Sequence, residues 1–280
     1  MTSMLAPARN ADLLESPLPV PESLRPWFAE LGRIAMVTDT PQALFHIPQV
    51  TTTIMLQTEI SGRGAAFVIG PQTRASYWTA DRPGGCLRIR LAPGTTRQLL
   101  GISTADLADR MVHLGDMPGA VGELADELLT LPSDEVVPFL EAALPQRISE
   151  TSTQRAHRDL LRSAVEAITG SAGTPVPDLA ADLAVSERQL RNLFNTGIGL
   201  SPKHFGRISR VRQVIAHGGS TPWAEVASTA GFYDQSHLSA DFRSLMGVPP
   251  AMFFRGDLPA PAHCRNNPGR ERYSSEQAAA

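Results

Sequence analysis

The apolar positions of this chain obey three regimes in turn. Between residues 33 and 91 they fall in short β-branched or alternating runs at 33–38, 51–60, 65–69, 74–80 and 86–91. Gly62, Gly64, Gly70-Pro71, Pro83-Gly84-Gly85 and Pro93-Gly94 separate the runs, which read as strands of a small barrel or sandwich. From Thr96 the spacing turns helical. Ser103 and Asp106 predict a capped helix with Leu107, Met111 and Leu114 on one face. Val121, Leu124 and Leu128 predict a second helix, and Val136, Val137, Leu140 and Leu144 a third. Leu160, Leu161, Ala164, Val165 and Ile168 predict a fourth over 153–168. The Gly/Ser/Thr/Pro run that follows predicts a linker at 171–176.

In the third regime one helical unit is written twice. Leu179-Ala180 answers Val226-Ala227 at an offset of 47, and Leu190, Phe194, Gly199, Pro202 and Phe205 answer Leu238, Phe242, Gly247, Pro250 and Phe253 at 48. The extra residue falls where Ala184-Val185-Ser186 faces Gly231-Phe232-Tyr233-Asp234. A fixed period of this kind marks a repeated supersecondary unit. Each copy reads as two short helices joined by a tight turn, the helix-turn-helix shape that fits a DNA major groove.

In the first copy Pro177-Asp178 opens a helix, and Ser186 with Gln189 forms a capping box for the next one. Leu190, Leu193 and Phe194 are its buried stripe, and Gly197 is expected to stop it. Glu187, Arg188, Arg191, Asn192 and Asn195 are left on the outer face. Arg and Asn are the types that pair with guanine and adenine edges. In the second copy Thr221-Pro222 starts a helix, Gly231 allows the turn and Asp234 caps the following helix. Leu238, Phe242 and Leu245 are buried at helical spacing, with Gln235, Ser236, His237, Ser239 and Arg243 outside. Between the copies Ser201-Pro202 starts a helix to about His217, with Phe205, Ile208, Val211 and Ile215 on its apolar face. Lys203, Arg207 and Arg210 form a basic stripe on another face, suited either to phosphate or to solvent. Arg212 is expected to be solvated.

Charge sharpens this picture only when the chain is divided. The 280 residues carry a net −3, but residues 174–256 hold seven Arg and Lys203 against six acids, an excess of two positive charges. Residues 1–173 hold 14 Arg against 19 acids, an excess of five negative charges. The asymmetry has the sign that a DNA-binding C-terminal half requires. Two cysteines, Cys86 and Cys264, cannot build a disulfide framework, so a reducing cytoplasm is the default location. No apolar run reaches the ~20 residues of a membrane span.

Residues 178–255 resemble the AraC/XylS-type DNA-binding domain. The resemblance rests on Leu-Ala-x-x-Leu-Ala-Val-Ser at 179–186, Gly-Leu-Ser-Pro at 199–202, Ala-Gly-Phe at 230–232, Asp-Gln-Ser-His-Leu-Ser at 234–239 and Gly-Val-Pro-Pro-x-x-Phe-Phe-Arg at 247–255. It implies that the second helix of each unit enters the major groove while the long middle helix joins the units. Base-edge roles then fall on Arg188, Arg191 and Asn192, and on Gln235, Ser236 and His237. One departure stands out: the family usually carries a basic residue where this chain has Ala240, and a small neutral one where it has Asp241. An acid facing phosphates is unfavourable, so weaker binding by the second unit is expected.

Residues 30–145 are similar to the cupin-like sensor halves of such regulators, through Gly-Pro-x-Thr at 70–73 and Pro-Gly-x-x-x-x-Leu-Leu-Gly at 93–101. A metal-dependent cupin needs converging His and Glu side chains. This stretch offers His46 and Glu59 and no His-x-His, so His46 is read as a partly buried histidine and no metal or cofactor is expected. Cys86 reads as a small buried hydrophobe and Tyr77-Trp78 as a core pair. The competing class is a DNA-repair protein that transfers an alkyl group to cysteine. It needs an activated thiol in a Pro-Cys-His-Arg setting, which neither Cys86 nor Cys264 supplies.

The expectation is therefore a non-enzymatic, sequence-specific transcription regulator of α+β class. A β-rich sensor half with helices occupies 27–170, a linker 171–176 and a DNA-binding domain 177–256, between a disordered leader at 1–26 and a disordered tail at 257–280. Double-stranded DNA is the required partner. RNA polymerase, a small-molecule effector and a second copy of the chain remain open as further ones, as does the choice between activation and repression.

Overall fold

A computed structural model describes residues 8–34, 42–59, 64–80, 84–170, 174–218 and 221–263. The chain opens with β1 (Arg9–Asn10), a 3-10 turn at Ala11–Leu14 and β2 (Glu15–Leu18). Then follow β3 (Phe28–Ile34), β4 (Gln42–His46), β5 (Thr53–Glu59), β6 (Ala65–Ile69), β7 (Ser76–Ala80) and β8 (Gly84–Leu91). Helix α1 (Thr96–Leu100), strand β9 (Met111–His113), and helices α2 (Ala125–Thr130), α3 (Val136–Ala143) and α4 (Ser152–Gly170) complete the first half. The second half holds α5 (Val176–Asp182), α6 (Glu187–Gly197), α7 (Pro202–His217), α8 (Trp223–Thr229), α9 (Gln235–Met246) and α10 (Pro250–Arg255). A two-residue strand, β10 (Ala262–His263), ends the described chain. The class is α+β, as expected.

Two sheets form, in the orders β1-β4-β7-β10 and β2-β3-β8-β5-β6-β9. Period-two alternation decides what each sheet buries. In the larger sheet Leu31, Ile54, Leu56, Val68, Leu87 and Ile89 share one face and pack against Leu99, Leu107, Leu114, Val121, Leu128 and Leu140 of the following segment. The three later helices of the first half stand where expected. The helix predicted from Ser103 does not form. Ser103 caps only the 3-10 turn Thr104–Leu107, and Met111 lies in β9, paired with Ile69. The break occurs at Asp109, which takes a left-handed φ of 56° while its carboxylate accepts hydrogen bonds from Thr73 N and Oγ1 at 2.6 Å each. β4 is a strand that the sequence pattern did not announce, and residues 35–38 of the expected first strand lie outside the described residues.

The leader expected to be unfolded is built into both sheets from residue 9 to residue 18. β1 pairs with β4 and β2 with β3. The physical reason lies in β8. Leu87, Ile89 and Leu91 point into the helical core, so Arg88 and Arg90 must point to the opposite face. Arg88 is only 4% exposed. Its Nη1 donates to Asp12 Oδ1 at 2.9 Å and Glu15 Oε2 at 3.0 Å, and Arg90 holds both Glu15 oxygens at 2.7 Å. Gln49 also donates to Asp12, at 3.0 Å. Without Asp12 and Glu15 the buried Arg88 would lose its counter-charges and Arg90 would keep only the exposed Glu30, a loss that costs about 3–5 kcal/mol. His46 stacks on Trp78 at 4.4 Å between ring centroids and places Nδ1 3.5 Å from the Asp12 carboxylate. Glu59's side chain lies outside what the structure describes.

The tail is likewise ordered as far as it is described. Leu258 packs against the second core, and β10 pairs in parallel with β7. Residues 264–280, with Cys264, lie outside the described residues.

Burial would raise the Asp12 pKa, but His46 and Arg88 outweigh it and hold the carboxyl below its ordinary value. A depressed carboxylate stabilises the fold at any pH above its unfolded value, and that contribution fades as pH falls towards the folded one. Asp12→Asn should therefore lower the melting temperature at pH 7, by an amount equivalent to roughly 3 kcal/mol. Thermal melts in a pH series should show the gap from wild type shrinking below about pH 4; equal melting at pH 7 would rule out this role.

Candidate nucleic-acid interface

The two repeats fold alike down to individual backbone hydrogen bonds. In the first, Ala184 takes a left-handed φ of 53° and Val185 N donates to Ala180 O at 3.0 Å. In the second, Gly231 takes φ 73° and Phe232 N donates to Ala227 O at 2.8 Å. Both turns let a second helix cross close to the first over a small residue, Ala180 or Ala227, each 2% exposed. Ser186 and Gln189 complete the predicted capping box on α6. Asp234 caps α9 by accepting from His237 N at 2.7 Å. α7 begins at Ser201, whose side chain accepts from His204 N at 3.2 Å.

Gly197 plays a different part from the expected stop. It is the last residue of α6, and the left-handed residue is Gly199, with φ 80°. A Cβ on Gly197 would lie 2.4 Å from Leu161 Cδ2 and 3.1 Å from Gly94 Cα. It is glycine because α6 presses on α4 and on the loop before α1.

The apolar stripes of α6 and α9 are buried through Leu190 and Phe194, and through Leu238, Phe242, Leu245 and Met246. Their opposite faces stay open. Arg188, Arg191, Asn192 and Asn195 are exposed on α6, and Gln235, Ser236, His237 and Arg243 on α9, while Ser239 is half-buried. Arg191 donates to Glu187 one turn earlier on the same helix. An exposed i,i+4 pair is worth about 0.3–0.5 kcal/mol. A pair of that strength leaves Arg191 open to a stronger hydrogen-bonding partner.

The basic stripe on α7 is largely consumed inside the protein. Asp241 is 7% exposed and turned towards α7, away from solvent. Arg207 Nε donates to its Oδ1 at 2.9 Å, and Arg210 Nη2 and His237 Nε2 approach its Oδ2 at 3.7 and 3.6 Å. Arg210 also lies over the Phe232 ring at 5.2 Å. The acid expected to repel phosphate is thus the bracket that holds α9 to α7. Arg207 and Arg210 belong to that bracket, and Lys203 alone of the three is exposed.

Arg212 departs from its expected place in solvent. Its Nη1 donates to Pro48 O of the first half at 3.0 Å. Burial lowers its pKa, against the attraction of Asp12 and with repulsion from Arg90.

These contacts belong to a second core that crosses the chain midpoint. Phe45 of β4 and Ile47 just beyond it pack in one cluster with Leu161 and Ala164 of α4, Phe205 and Ile208 of α7 and Phe242 of α9. Tyr77, rather than serving its own sheet alone, donates its hydroxyl to Met246 O at 2.7 Å. Ala75 N donates to Leu245 O at 2.8 Å and Gly94 N to Gly197 O at 3.1 Å. Sequence reasoning missed this seam. Its nearest signal was the apolar alternation Ala43, Phe45, Ile47 beside Tyr77, more than one buried face of a small sheet needs.

The geometry is that of a double helix-turn-helix unit. The family model described as helix-turn-helix domain matches residues 179–256. That segment is an AraC-type helix-turn-helix domain. Among solved structures the chain is similar to ToxT from Vibrio cholerae, at 12% identity, covering 81% of this chain and 96% of that one with a TM-score of 0.40. It is also similar to the C-terminal domain of AraT, a response regulator from Geobacillus stearothermophilus, at 23% identity, covering 36% and 88% with a TM-score of 0.34. A third similarity is to the DNA-binding domain of AdpA, a global transcriptional factor solved with a target DNA, at 25% identity, covering 35% and 89% with a TM-score of 0.32. No curated protein matches the sequence.

Removing the Asp241 carboxylate leaves Arg207 and Arg210 facing each other in a half-buried site. Asp241→Ala should destabilise the protein by roughly 1–3 kcal/mol, read by thermal or urea unfolding. An unchanged midpoint combined with tighter DNA binding would mean that Asp241 acts only by repelling phosphate.

Proposed function

We propose that this chain is a sequence-specific, DNA-binding transcription regulator that reads the major groove with α6 and α9. The observation that carries this is the pairing of like with like. Two units with the same turn, the same buried stripe and the same cap each leave a polar helix face open. On α6 that face holds Arg188, Arg191, Asn192 and Asn195, and on α9 Gln235, Ser236, His237 and Arg243 at its rim. Arg, Asn and Gln are the side chains that pair bidentately with purine edges. Lys203, free at the start of α7, serves as a phosphate contact, and Ser239 as a minor one.

In this reading residues 8–170 are the regulatory half, and the DNA-binding domain spans 177–256. The shared core is the route by which an effector, or pairing with a second copy, would alter the reader. Its place of action is where the DNA lies, in the cytoplasm. Among the described residues no helix is long and apolar enough to cross a membrane. The reading assigns no reaction to the chain. Burial pushes the Cys86 thiol up to about 11, so it stays protonated at neutral pH and lacks the activation that alkyl transfer demands.

Selection of bound fragments from random DNA at two salt concentrations tests the proposal. A single recurrent site, with affinity falling steeply in salt, is the expected result. On that site Arg191→Ala should cost about 1–3 kcal/mol and relax the choice at one base pair. Loss spread evenly over all sequences would make Arg191 a phosphate contact, and failure to enrich any sequence would overturn the function.

A further inference from the structure

The two units differ by one residue, and the structure shows which one. Ala184 and Gly231 share the left-handed turn, and Val185 and Phe232 make the same backbone hydrogen bond and both pack inward. Ser186 and Asp234 are the matching helix caps. Ser186 follows Val185 directly, whereas Tyr233 stands between Phe232 and Asp234. Tyr233 is the insertion. Its neighbour Phe232 is 6% exposed, but Tyr233 itself is 93% exposed, more than any other large hydrophobic residue among those described.

A hydrophobic residue just before a helix cap commonly packs back on the first turn of the helix. Phe232 already fills that place beside His237, with ring centroids 5.5 Å apart. The inserted ring has no core left to enter and projects from the turn that leads into Gln235 and Ser236.

We infer that Tyr233 is a DNA-backbone contact of the second unit, its hydroxyl donating to a phosphate at the edge of the groove that α9 enters. The inference rests on the DNA-binding reading above and adds a residue that the base-edge pattern does not contain. Three facts converge on it. The residue sits in the helix-turn-helix turn, beside the end of α9 whose side chains meet base edges. It carries a neutral donor of the kind that contacts phosphate oxygens. And α7, which the basic stripe had offered for backbone contact, has spent Arg207 and Arg210 on Asp241. The second unit therefore needs another anchor, and Tyr233 is placed to be one.

The test uses the full chain and the DNA site that selection returns, with binding read by fluorescence anisotropy. Tyr233→Ala should weaken binding roughly tenfold, as expected for a hydrogen bond to a charged group. The loss should be equal on specific and unrelated DNA, with the salt slope unchanged because a neutral donor releases no counterion. Tyr233→Phe should lose most of the same affinity, and neither variant should change the melting temperature. Affinity within about twofold of wild type in Tyr233→Ala, or full affinity in Tyr233→Phe, overturns the phosphate contact. Loss confined to one base pair would make Tyr233 a base reader and overturns it too. A wild-type chain that selects no DNA while remaining folded overturns the functional reading itself, and the contact with it.

Discussion

The burial of α7 constrains everything around it. Phe205, Gly206, Ile208, Ser209, Val211 and Val214 are all enclosed, because α4, α6, α8 and α9 each pack against this one helix. A helix surrounded on so many sides has little surface left for solvent or for DNA. Its cations must then find partners within the protein, since an unpaired buried charge is far more costly than a paired one. Arg207 and Arg210 take Asp241, and Arg212 takes the Pro48 carbonyl. Both α6 and α9 are fixed to one rigid member, and their polar outward faces are the ones left open.

The same logic runs through the first half. Alternation along β8 sends Leu87, Ile89 and Leu91 one way and Arg88 and Arg90 the other. The second direction is enclosed, so the two arginines demand acids, and Asp12 and Glu15 bring the N-terminal segment in to meet them. That segment is held by these ion pairs together with apolar burial, since Ala11 and Leu24 are enclosed and Leu18 and Val20 pack against the first core. From α7 Arg212 reaches the first half as well, its Nη1 donating to the Pro48 carbonyl.

A shared core also alters what the two halves can do separately. Phe45, Ile47 and Tyr77 are covered by helices of the DNA-binding domain, and Gly197 and Gly94 approach at backbone contact. A movement of the smaller sheet has to be taken up by α7 or by the turn at Met246. This is a packed seam, which transmits strain, rather than a flexible tether.

Local rules by themselves determined the repeat. Capping residues, the small residue at each helix crossing and the buried stripes all act within some twenty residues, and the sequence states them outright, whereas the left-handed positions of the first unit, Ala184 and Gly199, did not show in it. The bounds of α7 and the open faces of α6 and α9 followed from the same patterns. Long-range pairing alone decided the rest. Charge in a sequence has a sign but no address, so nothing local could assign Asp241 to Arg207, or Asp12 to Arg88 across 76 positions. The strands of the leader, β4 and the seam between the halves arise because partners distant in the chain are satisfied only when the whole is assembled.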